Sequence, residues 1–223
     1  MNSILTSKWT KVVVFLLCLV PAAILLWDYL HNDLSANPIE FITHRTGDWT
    51  IRFLVITLAI TPLRKLLRLP QLIRFRRMLG LFAFFYVSLH FCTYLVLDKF
   101  FDFHEIWKDV AKRRFITVGF TAFVLLIPLA ITSTRGWIRR LGGRRWQLLH
   151  RLIYISAVLG VIHYYWLVKS DVRKPLQFAW LVGLLLAWRL GAWLYERRQR
   201  RAAGRWPAKE PATPETAETV ETA

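Results

Sequence analysis

Three of the six histidines in this 223-residue chain lie inside long apolar stretches. They are His90, His150 and His163. An ionisable side chain is costly to bury there, so it either hydrogen-bonds to a neighbouring helix or does chemistry as a ligand or proton carrier. Because all three fall on only two stretches, both rich in aromatic residues, the pattern favours ligands.

The spacing of these histidines restricts the kind of metal. His150 and His163 are separated by about 20 Å along a helix, so they cannot share one metal ion. Zinc needs three or four close ligands, whereas haem iron takes axial histidines from different helices. The sequence therefore predicts one or two haems, which would relay electrons across a membrane core about 30 Å thick.

Depth in the membrane suggests which histidines pair. Helix rise puts His90 about 18 Å and His163 about 26 Å from the start of their stretches, but His150 only about 6 Å. We expect His90 and His163 to hold one haem, nearer the outer face. His150 is a candidate for a second, inner haem whose other ligand the sequence leaves open. His104 is expected in a loop, with a ligand role as the alternative.

Six apolar stretches could carry these residues across a membrane, which takes about 20 residues each. They are Val12–Leu30, Trp49–Leu66, Met78–Leu97, Phe115–Ile131, Trp146–Val168 and Leu176–Tyr195. The second is the weakest, because Arg52 lies near its start and Pro62 near its end. Six such stretches leave no polar surface for a soluble fold. The predicted fold class is therefore all-α, a polytopic bundle of six transmembrane helices.

The net charge of +17 comes from short basic blocks between the apolar runs, a membrane pattern rather than a nucleic-acid one. Arginines dominate the second and fourth connections and the segment after the sixth stretch, so both termini are predicted to be cytoplasmic. We expect a bundle over residues 8–196. Residues 197–223 read as a basic and then Pro/Thr/Glu-rich tail without fixed structure.

Some of these basic residues could also bind a cofactor. Topology alone explains them, but arginine forks also pair with haem propionates or a flavin phosphate. The candidates are Arg74, Arg76, Arg77 and Arg151. No dinucleotide or P-loop motif occurs, so another protein or the quinone pool would have to supply electrons.

Several short motifs occur around the three histidines. They are Ile60-Thr61-Pro62-Leu63, Arg74-x-Arg76-Arg77-x-Leu79-Gly80-Leu81, Leu89-His90, Thr132-Ser133-Thr134, Leu141-Gly142, Trp146-Gln147-x-Leu149-His150-Arg151-Leu152-x-Tyr154 and Ile162-His163-Tyr164. In combination they resemble the MsrQ family, formerly YedZ, the haem-binding membrane subunits of bacterial protein-methionine-sulfoxide reductase systems. The resemblance extends from residue 10 to residue 195.

The resemblance implies a ferric reductase-like transmembrane domain in the bacterial inner membrane. It implies b-type haem at His90, His150 and His163, with FMN as a further cofactor. It also implies electron transfer from the quinone pool or a cytosolic flavin reductase to MsrP. MsrP is a periplasmic molybdopterin enzyme that repairs oxidised methionines. No substrate-converting site is expected in this chain itself.

Three alternative functions remain open. A ferric reductase-type haem protein would deliver electrons to iron chelates. A transporter would use the histidines as a proton relay, although such relays normally include Asp or Glu and no stretch has an acid near its centre. A membrane anchor would use the histidines only to pack helices.

Overall fold

The structure is a computed structural model that describes residues 6–168 and 170–203. These residues form nine α-helices and no β-strand. In chain order, α1 to α9 are Lys8–Leu30, Pro38–Leu66, Ile73–Cys92, Phe103–Lys112, Arg114–Ile131, Arg135–Leu141, Gly143–Leu149, Leu152–Leu167 and Arg173–Ala203. A 3₁₀ turn, Pro70–Leu72, precedes α3, and a π-helical segment, Thr93–Asp98, continues it. The tail predicted to lack fixed structure lies, from residue 204 onward, outside the described residues.

Five helical segments are long and apolar enough to cross a membrane. They are Lys8–Leu30, Pro70–Asp98, Arg114–Ile131, Gly143–Leu167 and Arg173–Arg201. Five of the six predicted crossings are therefore supported, and the chain is an all-helical, multi-pass membrane protein. The second predicted stretch, within α2, is not among the five.

The composition of α2 follows from its position in the bundle. It packs along the length of α3 and buries Ile51, Phe53, Leu54 and Leu58 in the core. A helix enclosed by other helices does not need a wholly apolar surface, because its polar residues face protein instead of lipid.

Helix α2 begins earlier than the apolar pattern predicts. Its first residue is Pro38 rather than Trp49, so His44 is helical and not in a connection. Asn37 caps the helix by accepting a hydrogen bond from the Glu40 backbone N–H at 3.3 Å. Asparagine followed by proline is a strong start signal for a helix, and it precedes the apolar run.

The fifth predicted stretch, Trp146–Val168, is two helices and not one. Helix α7 ends at Leu149 and α8 begins at Leu152, so His150 and Arg151 lie in the break between them. The apolar pattern runs across this break, because side chains on both sides of it are apolar. Hydropathy alone therefore could not reveal it.

Two helix pairs form the centre of the bundle. Helix α2 packs against α3, and α5 packs against α8, while α3 also contacts α5 and α2 also contacts α8. Small side chains allow close approach, since Ala83 and Ala157 are fully buried and Ser156 donates to the Ala122 carbonyl of α5 at 2.8 Å. The arrangement brings α3 and α8, which carry His90 and His163, into the middle of the molecule.

The final helix α9 belongs to two compact units. Its residues up to Leu186 are part of the bundle, and Val182 is buried in the core there. Residues 187–203 belong to the second unit. Within that unit Arg197 lies over the Trp193 ring, and Gln199 donates to the Tyr195 hydroxyl at 3.1 Å.

Tyr86 hydrogen-bonds to backbone groups of α1 that lie next to a proline. The Tyr86 side chain is buried, and its hydroxyl accepts from the Ala22 backbone N–H at 3.1 Å while donating to the Cys18 carbonyl at 2.8 Å. Cys18 and Ala22 would bond directly in a regular helix, so the hydroxyl is inserted into the ladder beside Pro21. It fastens α1 to α3.

Tyr86→Phe is therefore expected to lower the stability of the bundle. It leaves the Ala22 N–H and the Cys18 carbonyl without their partner in an apolar interior, at a cost of about 1–3 kcal/mol. Thermal unfolding of the detergent-solubilised protein measures this loss. Tyr165→Phe is the matched control, because Tyr165 is 45% exposed. Equal unfolding temperatures for the two variants would contradict the bridging role.

Candidate functional site

His90 of α3 and His163 of α8 face each other across the centre of the bundle. Their ring centroids are 6.1 Å apart and their planes are at 77°. Both residues are partly buried. The two histidines that sequence depth groups together are thus neighbours in the structure, each supplied by a different helix pair.

Each of the two rings is oriented by a backbone carbonyl. His90 Nδ1 donates to the Thr43 carbonyl of α2 at 3.0 Å, and His163 Nδ1 donates to the Phe115 carbonyl of α5 at 2.7 Å. A carbonyl can only accept, so the proton of each neutral ring is on Nδ1. Nε2 then carries the lone pair, which is the form in which histidine binds a metal.

This pair fits the iron of a haem. A metal–imidazole bond of about 2.0 Å on each side places two axial nitrogens about 4 Å apart. The ring centroids lie further out, behind the nitrogens, which agrees with the observed 6.1 Å. Within the described part of the chain no group of three or more His, Cys, Asp or Glu side chains could hold a metal ion.

His150 is held differently from the other two histidines. Its Nε2 lies 3.0 Å from the Thr132 hydroxyl, which itself donates to the Pro128 carbonyl at 2.6 Å. The hydroxyl therefore accepts from His150, and the proton of that ring is on Nε2. Trp146 stacks on the ring at 3.9 Å and donates to the Thr132 carbonyl at 2.8 Å. In this arrangement Nε2 is engaged with Thr132.

Three of the four candidate arginines, Arg74, Arg76 and Arg77, lie near the start of α3, and the fourth, Arg151, follows His150 directly. Arg76 is close enough to affect the charge of the His150 ring. Arg74 and Arg77 are exposed nearby on α3, and Arg151 is exposed next to His150 itself. Along α3, Arg76 and His90 are about 20 Å apart by helix rise, so Arg76 lies at the opposite end of the helix from the histidine pair.

His104 is not part of either arrangement. The expectation that it lies in a loop is wrong, because Asp102 caps α4 and His104 lies in the first turn of that helix, where it is exposed. Sequence reasoning missed the residues that orient the ligand pair, because Thr43 and Phe115 act through their carbonyls. A backbone acceptor leaves no signal in the residue type.

An ionic cluster fixes the chain beyond His90. Lys99 Nζ lies 2.8 Å from Asp109 of α4, Arg113 Nε lies 3.2 Å from the same carboxylate, and the Tyr94 hydroxyl donates to it at 3.3 Å. Burial alone would raise the pKa of Asp109, but the hydrogen bond and charge of Lys99, with Arg113, hold it below its ordinary value. The same hydrogen bond raises the pKa of Lys99. The cluster joins the π-helical segment to α4.

The helical fold matches a known class of membrane proteins. A family model described as "Ferric reductase like transmembrane component" matches residues 46–161. That range begins within α2 and ends within α8, so it includes all of α3 with His90 and all of α5, and it stops two residues before His163. No solved structure matches the chain.

Relatives of the chain narrow this class. It is 56% identical over 195 residues to the "Protein-methionine-sulfoxide reductase heme-binding subunit MsrQ" of Herminiimonas arsenicoxydans, covering 86% of this chain and 89% of the relative. It is 52% identical over 195 residues to the protein of that name from Rhodospirillum rubrum, covering 86% and 92%. The Xanthomonas campestris protein of that name is 50% identical over 210 residues, covering 92% and 94%. The chain belongs to the MsrQ family.

Acidification is expected to weaken the contact between α4 and the π-helical segment. Because the pKa of Asp109 is depressed in the folded protein, its charge stabilises the fold above the ordinary pKa of 3.8, and this contribution is lost as pH falls through the folded value. Asp109→Asn should lower stability at neutral pH and flatten the loss on acidification.

Thermal unfolding in detergent, from about pH 7 down to about pH 3, measures this dependence. Asp33→Asn, at an exposed position before α2, is the control and should keep the wild-type pH profile. An Asp109→Asn profile parallel to that of the wild type would contradict the assignment.

Proposed function

We propose that this protein is a haem-binding electron-transfer subunit of a methionine-sulfoxide reductase system, with His90 and His163 as axial ligands of one haem. The observation that carries the proposal is the 6.1 Å separation of two rings whose Nδ1 protons are both directed to carbonyls. The relatives that are named heme-binding subunits support the same cofactor.

The residues of the chain position and insulate the cofactor. Thr43 and Phe115 hold the two rings through their carbonyls. Next to His90 in sequence, Phe91 stacks on Phe123 of α5 and contacts Phe120. A bound haem supplies a one-electron couple. The chain tunes its potential through the basicity of the histidines and the dielectric of the apolar surroundings.

A second haem at His150 is part of the proposal as a separate site. Its ligation requires that His150 Nε2 give up its hydrogen bond with Thr132 or that Nδ1 serve instead. The negative charge of the propionates of such a haem would then be neutralised by nearby arginines, namely Arg76 with Arg74, Arg77 and Arg151. FMN remains a prediction from family resemblance, without an assigned residue.

Topology and partners complete the proposal. We infer six crossings in the bacterial inner membrane, with α2 as the sixth and both termini cytoplasmic, as the arginine-rich connections indicate. Electrons would enter from the quinone pool or a cytosolic flavin reductase. They would leave to a periplasmic MsrP-type molybdoenzyme, which carries out the reduction of methionine sulfoxide.

Loss of either paired histidine should remove the low-spin haem. We expect the detergent-purified protein to show a Soret band that sharpens and shifts with dithionite. His90→Ala and His163→Ala should each lose the low-spin spectrum of the haem that this pair holds, because one ligand is missing in each. His150→Ala should retain the spectrum of the paired-histidine haem and lose only that of a second haem.

His104→Ala is the matched control, since His104 is exposed and lies outside both arrangements. A colourless wild-type protein, even after haem supplementation, would overturn the proposal and favour a transporter or an anchor. Reduced protein that transfers electrons to iron chelates but not to an added periplasmic molybdopterin methionine-sulfoxide reductase would favour a ferric reductase.

A further inference from the structure

Two glycines lie directly beneath the paired histidine rings. A Cβ atom added at Gly119 of α5 would come within 2.5 Å of His163 Nδ1 and 2.8 Å of its Cε1. A Cβ atom added at Gly47 of α2 would come within 3.2 Å of both Nδ1 and Cε1 of His90. The first contact is impossible without movement of the ring, and the second is tighter than an ordinary contact.

The same local arrangement is present in both helix pairs. The carbonyl that accepts from His90 belongs to Thr43, one helical turn before Gly47. The carbonyl that accepts from His163 belongs to Phe115, one helical turn before Gly119. In each pair the imidazole lies across a turn of the neighbouring helix, occupying the space of the missing side chain while it bonds to the carbonyl.

A carbonyl within an α-helix already accepts from the N–H four residues later, and the imidazole uses its second lone pair, which at Thr43 also accepts from the Thr46 hydroxyl at 3.0 Å. A side chain at that later residue would cover this lone pair. Glycine leaves it open, although glycine weakens a helix interior relative to alanine. The other glycines within the central helices do not have this relation, because Gly80 and Gly160 would place Cβ atoms at ordinary contact distances of 3.6 and 3.7 Å.

We propose that Gly47 and Gly119 are positioning residues that seat His90 and His163 against the Thr43 and Phe115 carbonyls and thereby set the planes of the two rings. This rests on the proposed function, since the histidines matter as ligands only if haem binds. With the two rings held in this way, their planes are 77° apart. Each glycine contacts a histidine ring, so it would act on a bound haem only through that histidine.

The angle between the rings has a spectroscopic consequence. Ferric low-spin haems with near-perpendicular imidazole planes give a highly anisotropic EPR signal, whereas near-parallel planes give a rhombic one. The angle of 77° between the rings therefore predicts a highly anisotropic EPR signal for the His90–His163 haem. A structural role that only kept the helices packed would not fix the type of this signal.

The test uses the full-length protein in detergent and compares four Gly→Ala variants. Gly119→Ala should lose the haem bound by His90 and His163, because the ring must leave the Phe115 carbonyl. Gly47→Ala, with its milder overlap, should keep the haem but shift the EPR signal and the reduction potential. Gly160→Ala on α8 and Gly80→Ala on α3 are matched controls and should keep the wild-type content, signal and potential.

Size-exclusion elution and thermal unfolding of the haem-free proteins show whether a variant has folded. If Gly119→Ala does not fold, the signal and potential of Gly47→Ala decide the question. Wild-type haem content, signal and potential in both Gly47→Ala and Gly119→Ala would overturn the proposal. A wild-type protein without haem would instead overturn the proposed function, so the two failures are distinguishable. A rhombic EPR signal in the wild type would contradict the near-perpendicular orientation of the two ring planes.

Discussion

The structure depends on two hydrogen bonds from histidine side chains to helix backbones. His90 donates to α2 and His163 donates to α5, so each bond crosses the interface of one of the two central helix pairs. A neutral imidazole has one proton, and using it on the backbone fixes both the tautomer and the direction of the remaining lone pair. The same two hydrogen bonds therefore hold each helix pair together and orient the two histidines at the site.

This constraint explains why α2 has the composition it does. The helix must present, at Thr43 and Gly47, a carbonyl that can accept a hydrogen bond from the imidazole and a turn without a side chain. It also carries polar residues that a lipid-facing helix would not. Thr46, Thr50 and Thr57 are buried, and their hydroxyls donate hydrogen bonds to carbonyls of their own helix. Hydropathy underrates such a helix, because hydropathy assumes that the whole surface meets lipid.

The sequence was sufficient for the features that depend on depth and charge. Apolar runs separated by basic blocks predicted a helical membrane protein, and helix rise predicted that His90 and His163 lie closer in depth than His90 and His150. The apolar pattern alone missed the start of α2 at Pro38, because it begins later than the cap, although Asn37 followed by Pro38 signals that start. The break at His150 and Arg151 was also hidden, since apolar residues continue on both sides. The carbonyls of Thr43 and Phe115 could not be found, because the orienting atoms are common to all residues.

The contrast between His150 and the paired histidines follows from the same reasoning. His150 lies at a helix break, where its ring stacks on Trp146 and its Nε2 N–H donates a hydrogen bond to the Thr132 hydroxyl. A hydroxyl side chain can rotate, whereas a helix carbonyl cannot. The His90–His163 site is therefore preorganised for its ligand, while any site at His150 must rearrange when it forms. A preorganised site costs less to occupy, so on this structure the central haem should bind more tightly, and a haem at His150 should be the first to be lost on purification.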